Sequence, residues 1–152
     1  EVRGYMQKLS ETGKYTVSDR VLRAVQAEFS CGFCTDAQGA QTIGRTFREN
    51  HYLLDTHTAV ACTVLDAYRA GTGDQTLTVV ESTASPFKFC ASVLDALGVT
   101  EHAPGTGVLS QLTAETGRPA PTPLASLAGK PVRFDQVTDR GDMRAVVTEF
   151  LR

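Results

Sequence analysis

Two short polar stretches in the middle of the chain contain side chains that could contact a ligand. In the first, Asp55, His57 and Thr58 stand at the predicted start of a helix, where free N–H groups and the positive end of the helix dipole attract anions. In the second, Ser82 and Thr83 follow a predicted strand, and ligands of open α/β sheets bind beyond the carboxyl ends of strands. Both stretches are therefore candidate ligand contacts. Helix capping explains the first stretch, and a capping turn explains the second, without any ligand.

The four cysteines allow a redox or metal site but do not favour one. Cys31 and Cys34 form a C-x-x-C pair, which could be a redox dithiol or half of a zinc site. The other two, Cys62 and Cys90, are single and lie inside predicted helices, so the second half of a four-ligand zinc site is missing. The pair also follows a predicted helix, whereas a thioredoxin-like dithiol follows a strand. We expect reduced thiols and no metal site, and a metal or redox domain is the least favoured alternative.

Composition is that of an ordinary globular protein and excludes several partners. The 152 residues carry a net charge of −2 and are 41% hydrophobic, which is typical of a folded domain rather than a disordered chain. No run of Lys or Arg indicates nucleic-acid binding, and no apolar run is long enough to span a membrane. Neither a glycine-rich phosphate loop nor a G-x-S-x-G turn is present. We therefore expect no nucleic acid and no membrane among the partners. Because the N-terminus has no apolar signal segment and the cysteines are sparse, we expect reduced thiols and a cytoplasmic location.

Hydrophobic periodicity predicts the helices that must position the two polar stretches. The first 50 residues are predicted to be helical, with one helix starting at Ser18 or Asp19 and another over 36–50. The thin apolar face of the latter indicates a surface position. Apolar and small residues on nearly all sides of 59–68 predict a helix that is buried on more than one side. Asp55 is its predicted cap.

One clear strand is predicted among the helices. Residues 76–82 are rich in Thr and Val and are bounded by a turn and a Pro, and 52–54 could be a short strand or a lead-in. Further helices are predicted at 86–97, 108–116 and 143–151.

A lone strand leaves its main-chain N–H and C=O groups without partners, so its sheet must be completed by other strands. Two strand–helix units are typical of a parallel sheet, and they predict an α/β fold class. The chain begins at Glu1 without an initiator Met, and we expect it to be part of a longer protein. Its expected regions are helical (1–50), two strand–helix units (51–98), and a Pro/Gly-rich tail with a terminal helix (99–152).

Two motifs stand in the central region of the chain. Residues 52–61 read Tyr-Leu-Leu-Asp-Thr-His-Thr-Ala-Val-Ala, and residues 79–89 read Val-Val-Glu-Ser-Thr-Ala-Ser-Pro-Phe-Lys-Phe. Together they resemble the C-terminal half of threonine synthases, which are pyridoxal-phosphate (PLP) enzymes of the tryptophan-synthase-β fold type. The family motifs are Y-L-x-D-P-H-T-A-V-G/A and V-x-L-S/A-T-A-H-P-A-K-F. Similarities around Thr12-Gly13-Lys14-Tyr15 and Cys34-Thr35-Asp36 extend the resemblance over nearly the whole chain.

The resemblance implies the conversion of O-phospho-L-homoserine and water to L-threonine and phosphate, a carbon–oxygen lyase reaction of threonine biosynthesis with PLP as cofactor. It also implies a helix-rich fragment of a three-layer αβα parallel-sheet domain with few strands of its own. In this fold type a neutral hydroxyl meets the ring nitrogen of PLP, and Thr83, with Ser82 as its neighbour, matches that position. His57, Thr58 and Lys88 match family residues beside the cleft, with Lys88 as a phosphate contact or a structural cation.

The chain also departs from the family pattern. Thr56 replaces a Pro, Ser85 replaces a His, and Glu81 is more polar than the usual strand residue. The family's Schiff-base lysine and its Asn/Gly-rich phosphate loop lie in the N-terminal part, and Asn50 is the only Asn here. We therefore expect no catalytic residue in this chain, no covalent PLP and no activity alone. The expected partners are the N-terminal part of the same enzyme and O-phosphohomoserine.

One alternative function and one further interaction stay open at this point. The alternative is a non-catalytic interaction or regulatory module derived from the same fold. The interaction is self-association of the isolated chain, which exposed strand edges would promote.

Overall fold

Helices are the only regular secondary structure in the computed structural model, which describes residues 1–152. The chain divides into two units, Glu1–His102 and Ala103–Arg152. The helical elements of the first unit are α1 (Val2–Thr12), α2 (Asp19–Glu28), α3 (Asp36–Asn50), α4 (Thr56–Thr72), a 3₁₀ turn (Pro86–Lys88) and α5 (Cys90–Ala96). Those of the second unit are α6 (Gly107–Thr116), α7 (Thr122–Ala125), two 3₁₀ turns (Ser126–Gly129 and Arg140–Asp142) and α8 (Met143–Phe150). None of the helices is both long and apolar enough to cross a bilayer.

Side-chain caps fix where the helices of the first unit begin and end. Ser18 Oγ accepts a hydrogen bond from a main-chain amide in the first turn of α2, which confirms the predicted start. Thr35 and Gln38 form a capping box at the start of α3, whose bounds, Asp36–Asn50, are those predicted. After α4, Gly73 adopts φ 72°, a left-handed conformation that favours glycine.

The core of the first unit lies where α3 packs against α4 and α5. Ile43 of α3 and Val93 and Leu94 of α5 are buried there. The expectation that the thin apolar face of α3 lies on the surface is wrong, because a small residue on that helix allows a close approach. A Cβ added to Gly44 would lie 2.6 Å from the carbonyl oxygen of Ala96, so this crossing requires glycine.

Helix α4 is less buried than its composition predicts. Thr58 and Ala59 are its only buried residues, and Val60 is 40% exposed. The expectation that this helix is buried on more than one side is therefore wrong for this chain. The physical reason is that α3 is the only helix that packs extensively against α4.

No strand forms over 76–82 in this chain, so the helices of the two predicted strand–helix units are present without their strands. The segment instead runs back along α4: Arg69 Nη2 donates to the Thr76 carbonyl oxygen (3.1 Å) and to Thr78 Oγ1 (3.2 Å), and Ser82 Oγ lies 3.0 Å from Thr58 Oγ1. These two contact points on α4 are about 16 Å apart along the helix axis, so the segment is close to fully extended between them.

The physical reason for the missing strand is the lack of a neighbour. Residues 75–84 make no hydrogen bond between main-chain groups, although an extended segment presents donors and acceptors along both edges. Leu77 is 93% exposed and Val79 is 86% exposed, so the outward face of the segment is apolar and uncovered. The short run at 52–54 is a lead-in rather than a strand, with Leu53 and Leu54 buried.

The second unit contains the two helices that the sequence predicts there. Helix α6 starts one residue earlier than predicted, and its Leu112 is buried. Helix α8 confirms the predicted terminal helix, although none of its residues is buried. The short helix α7 was not predicted, and Pro123 in its first turn suits a helix start.

Candidate functional site

The start of α4 is built around Asp55, whose side chain is enclosed beside the buried Leu53 and Leu54. Asp55 Oδ1 accepts hydrogen bonds from the main-chain amides of His57 (2.9 Å) and Thr58 (3.3 Å). This geometry confirms the predicted N-cap and satisfies two of the amides that a helix leaves free at its first turn.

The second carboxylate oxygen joins the two sequence motifs. Asp55 Oδ2 accepts a hydrogen bond from the Thr58 hydroxyl, and Thr58 Oγ1 lies 3.0 Å from Ser82 Oγ. Ser82 Oγ is also 3.5 Å from Asp55 Oδ2, at the outer limit of a hydrogen bond. Residues that are 27 positions apart in sequence thus share one polar network, which we call the Asp55 network (Asp55, Thr58 and Ser82).

The pKa of the Asp55 carboxyl lies below its ordinary value of 3.8. Burial opposes ionisation and would raise the pKa, but hydrogen bonds from the Thr58 hydroxyl and from the amides of His57 and Thr58 outweigh it. Asp55 is therefore a carboxylate at neutral pH. A carboxylate can only accept hydrogen bonds, so the hydroxyls of the network must donate towards it.

His57 lies at the edge of the Asp55 network. Its Nδ1 is 3.5 Å from Asp55 Oδ1, and its ring packs against Phe89 with a centroid distance of 5.0 Å and an interplanar angle of 52°. The His57 side chain is 68% exposed. The imidazole is thus held on one side by the protein and is open to a ligand on the other.

Thr83 and Lys88 are exposed and are not drawn into the Asp55 network. Thr83 follows Ser82 directly, and its hydroxyl makes no hydrogen bond within the chain. Lys88 closes the 3₁₀ turn that Ser85 begins, where Ser85 Oγ accepts from the Phe87 amide (3.3 Å). The structure therefore brings His57, Thr58 and Ser82 together around Asp55, with Thr83 adjacent in sequence and Lys88 on the following turn.

Neither the link between Asp55 and Ser82 nor the packing of Phe89 on His57 is predicted from the sequence. The sequence predicts Asp55 only as a cap, and it predicts Phe89 only as part of the helix over 86–97. The D-x-x-T spacing of Asp55 and Thr58 was the available signal, because an N-cap carboxylate that faces a hydroxyl three residues later has an oxygen to spare. The contact to Ser82 has no sequence signal, since it depends on the return of the segment along α4.

An open cleft of about 560 Å³ lies beside Phe89. Its wall includes the start of α3 at Thr35, the start of α4 at Thr56, and Asp95 of α5. Phe89 borders both this cleft and the His57 ring, so a ligand seated against His57 would sit at the rim of the cleft.

The four cysteines do not cluster around a metal site. All four are free thiols, and no cluster of three or more His, Cys, Asp or Glu side chains could hold a metal ion. Cys34 borders the cleft, whereas Cys31 is exposed. Burial raises the pKa of both Cys62 and Cys90, which makes these two thiols poor nucleophiles at neutral pH.

A family model described as "Threonine synthase, C-terminal" matches residues 58–148, which is more than half of the chain. The chain belongs to this threonine synthase C-terminal family. The resemblance seen in the two motifs is thereby confirmed, and the match includes Thr58, Ser82, Thr83 and Lys88.

Individual relatives agree with the family match. The chain is 28% identical to threonine synthase from Saccharomyces cerevisiae over 101 residues, covering 63% of this chain and 20% of that protein. It is 33% identical to threonine synthase-like 1 from Mus musculus over 82 residues, covering 53% of this chain and 10% of that protein. The chain thus spans a fifth or less of the length of these relatives.

A solved structure is also similar. The crystal structure of PLP-bound threonine synthase from Brucella melitensis matches with a TM-score of 0.56 and 35% sequence identity, covering 77% of this chain and 24% of that one. The fold of the present chain is therefore similar to about a quarter of a PLP-bound threonine synthase.

Proposed function

We propose that this chain is the C-terminal segment of a threonine synthase, which converts O-phospho-L-homoserine and water to L-threonine and phosphate. The observation that carries the proposal is the Asp55 network, in which the two family motifs meet. Family membership and the likeness to the PLP-bound Brucella melitensis enzyme support it. The proposed partners are the N-terminal part of the same enzyme and O-phosphohomoserine, and the proposed location is the cytoplasm.

The residues at the end of the 76–82 segment fit a contact to the ring of PLP. The Thr83 hydroxyl is exposed, makes no hydrogen bond within the chain, and can donate to or accept from a ring nitrogen. When bound, PLP supplies an electron sink for bond cleavage at the amino-acid substrate. A neutral Thr83 hydroxyl leaves the ring nitrogen largely unprotonated, because no negative charge stabilises the protonated form.

The other motif residues have proposed roles beside that contact. His57 presents an exposed imidazole, fixed against Phe89, that can orient a polar substrate group. Thr58 holds the network, and the Lys88 ammonium offers a positive charge for the substrate phosphate. No residue of this chain is proposed as the lysine that bonds PLP, so the chain alone is expected to be inactive.

The segment over 76–82 is proposed to become a strand in the complete enzyme. Leu77 and Val79 are exposed on its outward face, and the segment makes no hydrogen bond with another main-chain segment, so strands could be added at its edges. Sheet completion of this kind would place the chain in the three-layer αβα domain that the family resemblance implies. The uncovered sides of α4 would gain neighbours at the same time.

An activity assay tests the proposed reaction. The coding sequence upstream of Glu1 is read first, and we expect a lysine-containing cofactor motif and an Asn/Gly-rich loop. The whole protein is expected to release phosphate from O-phospho-L-homoserine and to show a visible cofactor absorbance, whereas the 152-residue chain does neither. Thr83→Val in the whole protein should lower kcat by about tenfold, as expected for one lost hydrogen bond to a functional group. Thr78→Val is the matched control, because its hydroxyl contacts only Arg69 and Thr76.

Two results would contradict the proposal. Turnover by the 152-residue chain would show that the segment is not dependent on an N-terminal part. An upstream sequence without the cofactor lysine, or a whole protein that binds no PLP, would instead favour the non-catalytic module.

A separate measurement tests sheet completion. Leu77→Ala is expected to change the stability of the isolated chain by less than about 0.5 kcal/mol, since the side chain is almost fully exposed. In the whole protein the same change should destabilise by about 2 kcal/mol or more, because the side chain is then buried. Equal effects in the two proteins would show that the segment gains no cover.

A further inference from the structure

The two oxygens of the Asp55 carboxylate accept hydrogen bonds from different groups. Oδ1 receives both main-chain amides of the first turn of α4. Oδ2 receives the Thr58 hydroxyl and faces Ser82 Oγ. Capping therefore uses only one oxygen of the carboxylate, and the other is directed at the segment that ends in Thr83.

Helix capping does not require a buried charge at this position. Asn and Ser cap helices about as well as Asp, and neither brings a negative charge into a site that is 1% exposed. Burying a carboxylate is unfavourable unless its lone pairs are satisfied. What Asp adds over Asn is a second acceptor in place of an amide donor. At this site the second acceptor serves Thr58 and Ser82.

The Thr58 side chain bridges Asp55 and Ser82. Its hydroxyl contacts the carboxylate on one side and Ser82 Oγ on the other, so it ties the start of α4 to the end of the 76–82 segment. Residues 75–84 make no hydrogen bonds between main-chain groups. At the Thr83 end, the Asp55 network is the polar anchor that holds this segment on α4.

We propose that Asp55 is a positioning residue: acting through Thr58 and Ser82, it fixes the main chain at 82–83 and so directs the Thr83 hydroxyl towards the cofactor ring. This inference rests on the proposed function for the identity of the group that Thr83 meets. A functional contact must be held to within about 0.5 Å, and an unanchored segment would not hold it.

The anchoring is tested first in the 152-residue chain, without cofactor, by ¹⁵N relaxation. In the wild type, the order parameters of the Ser82 and Thr83 amides should be near 0.85, the value of rigid backbone. Thr58→Val keeps the shape and the main-chain amide of Thr58 but removes the hydroxyl that bridges Asp55 and Ser82. The order parameters of the Ser82 and Thr83 amides should then fall below about 0.6. Asp55→Asn keeps an oxygen for the cap and should cause a smaller fall of the same kind.

Thr63→Val is the matched control for these measurements. Thr63 is on the same helix and its hydroxyl also makes two hydrogen bonds, to Thr42 Oγ1 (2.8 Å) and to the Ala59 carbonyl oxygen (2.8 Å), but neither reaches the segment. In the Thr63→Val variant, the order parameters of the Ser82 and Thr83 amides should equal those of the wild type. Unchanged order parameters in Thr58→Val, or an equal fall in Thr63→Val, would overturn the inference.

The cofactor role is tested in the whole protein by the visible absorbance of bound PLP and by kinetics. Thr83→Val should shift the absorbance band, and Thr58→Val should shift it in the same direction and lower kcat by about threefold to tenfold with little change in KM. Thr63→Val should change neither. A shift in Thr83→Val without one in Thr58→Val would overturn the inference and leave the proposed function intact. If Thr83→Val also leaves the band unchanged, the ring contact itself is wrong.

Discussion

Replacing Asp55 by alanine gives the sharpest test of the stability that the site contributes. The change removes the acceptor for two main-chain amides and for the Thr58 hydroxyl, so these three donors at the start of α4 lose that hydrogen-bond partner. Loss of an N-cap costs about 1 kcal/mol, and a hydrogen bond to a charged group contributes about 1.5–3 kcal/mol. Because these losses overlap, we expect a total of about 3 kcal/mol. With a urea m-value of about 2 kcal/mol/M, the midpoint should fall by about 1.5 M.

The assay is urea unfolding followed by far-UV circular dichroism, with Asp55→Asn as the matched variant. Asn keeps the cap and should lower the midpoint by only about 0.5 M, since it loses the charge and the second acceptor. The folded state lowers the pKa of Asp55 below its ordinary value of 3.8, so the advantage of wild type over Asp55→Asn is complete above that pH. It should begin to shrink as the pH falls through 3.8, where the unfolded chain takes up a proton, and should be lost once the folded-state carboxyl is protonated as well.

Three outcomes would refute this reasoning. One is a midpoint for Asp55→Ala within about 0.3 M of wild type, which would mean that the buried carboxylate stabilises nothing. Another is an equal loss in Asp55→Ala and Asp55→Asn, which would remove the distinction between the two oxygens. The third is an advantage over Asp55→Asn that stays constant through the acid range.

The remaining predictions concern packing and thiol reactivity. Gly44→Ala should destabilise the protein by about 1–3 kcal/mol in urea unfolding, because its Cβ would meet the Ala96 carbonyl oxygen. The control Gly71→Ala, which has open space around it, should be neutral or stabilising. Similar effects of the two variants would contradict the close helix crossing. Leu94→Ala should lower stability by about 2–5 kcal/mol, and a loss below about 1 kcal/mol would mean that α5 is not part of the core. Iodoacetamide at pH 8 should label the exposed Cys31 well before Cys90, which is buried and has a raised pKa, and mass spectrometry of the time course would expose a reversed order.

Local signals allowed much of the helical part of the fold to be predicted. Ser18, the bounds Asp36–Asn50 and the cap at Asp55 were all predicted correctly, because a cap and the periodicity that follows it involve residues within a few positions of one another. The same holds for the family motifs, which consist of consecutive residues. Burial was predicted less well: α3 is more buried and α4 less buried than their apolar faces indicate.

The predicted strand at 76–82 does not form in this chain, and the reason cannot be found in the local sequence pattern. Its residues have strand composition, but a strand exists only when another segment supplies main-chain partners, and this chain supplies none. The sequence therefore identified a segment suited to a sheet, while the tertiary structure decided that it lies along α4 as a single extended run.

Helix starts, the family and the identity of the candidate residues can be predicted from the amino-acid sequence, since each of these depends on neighbours in the chain. Three contacts come from tertiary packing instead: Asp55 and Ser82 share one polar network, Phe89 packs on His57, and Gly44 lies at a helix crossing. These contacts join residues that are tens of positions apart. They depend on how α3, α4 and the returning segment pack, which follows from the fit of whole surfaces rather than from any local pattern.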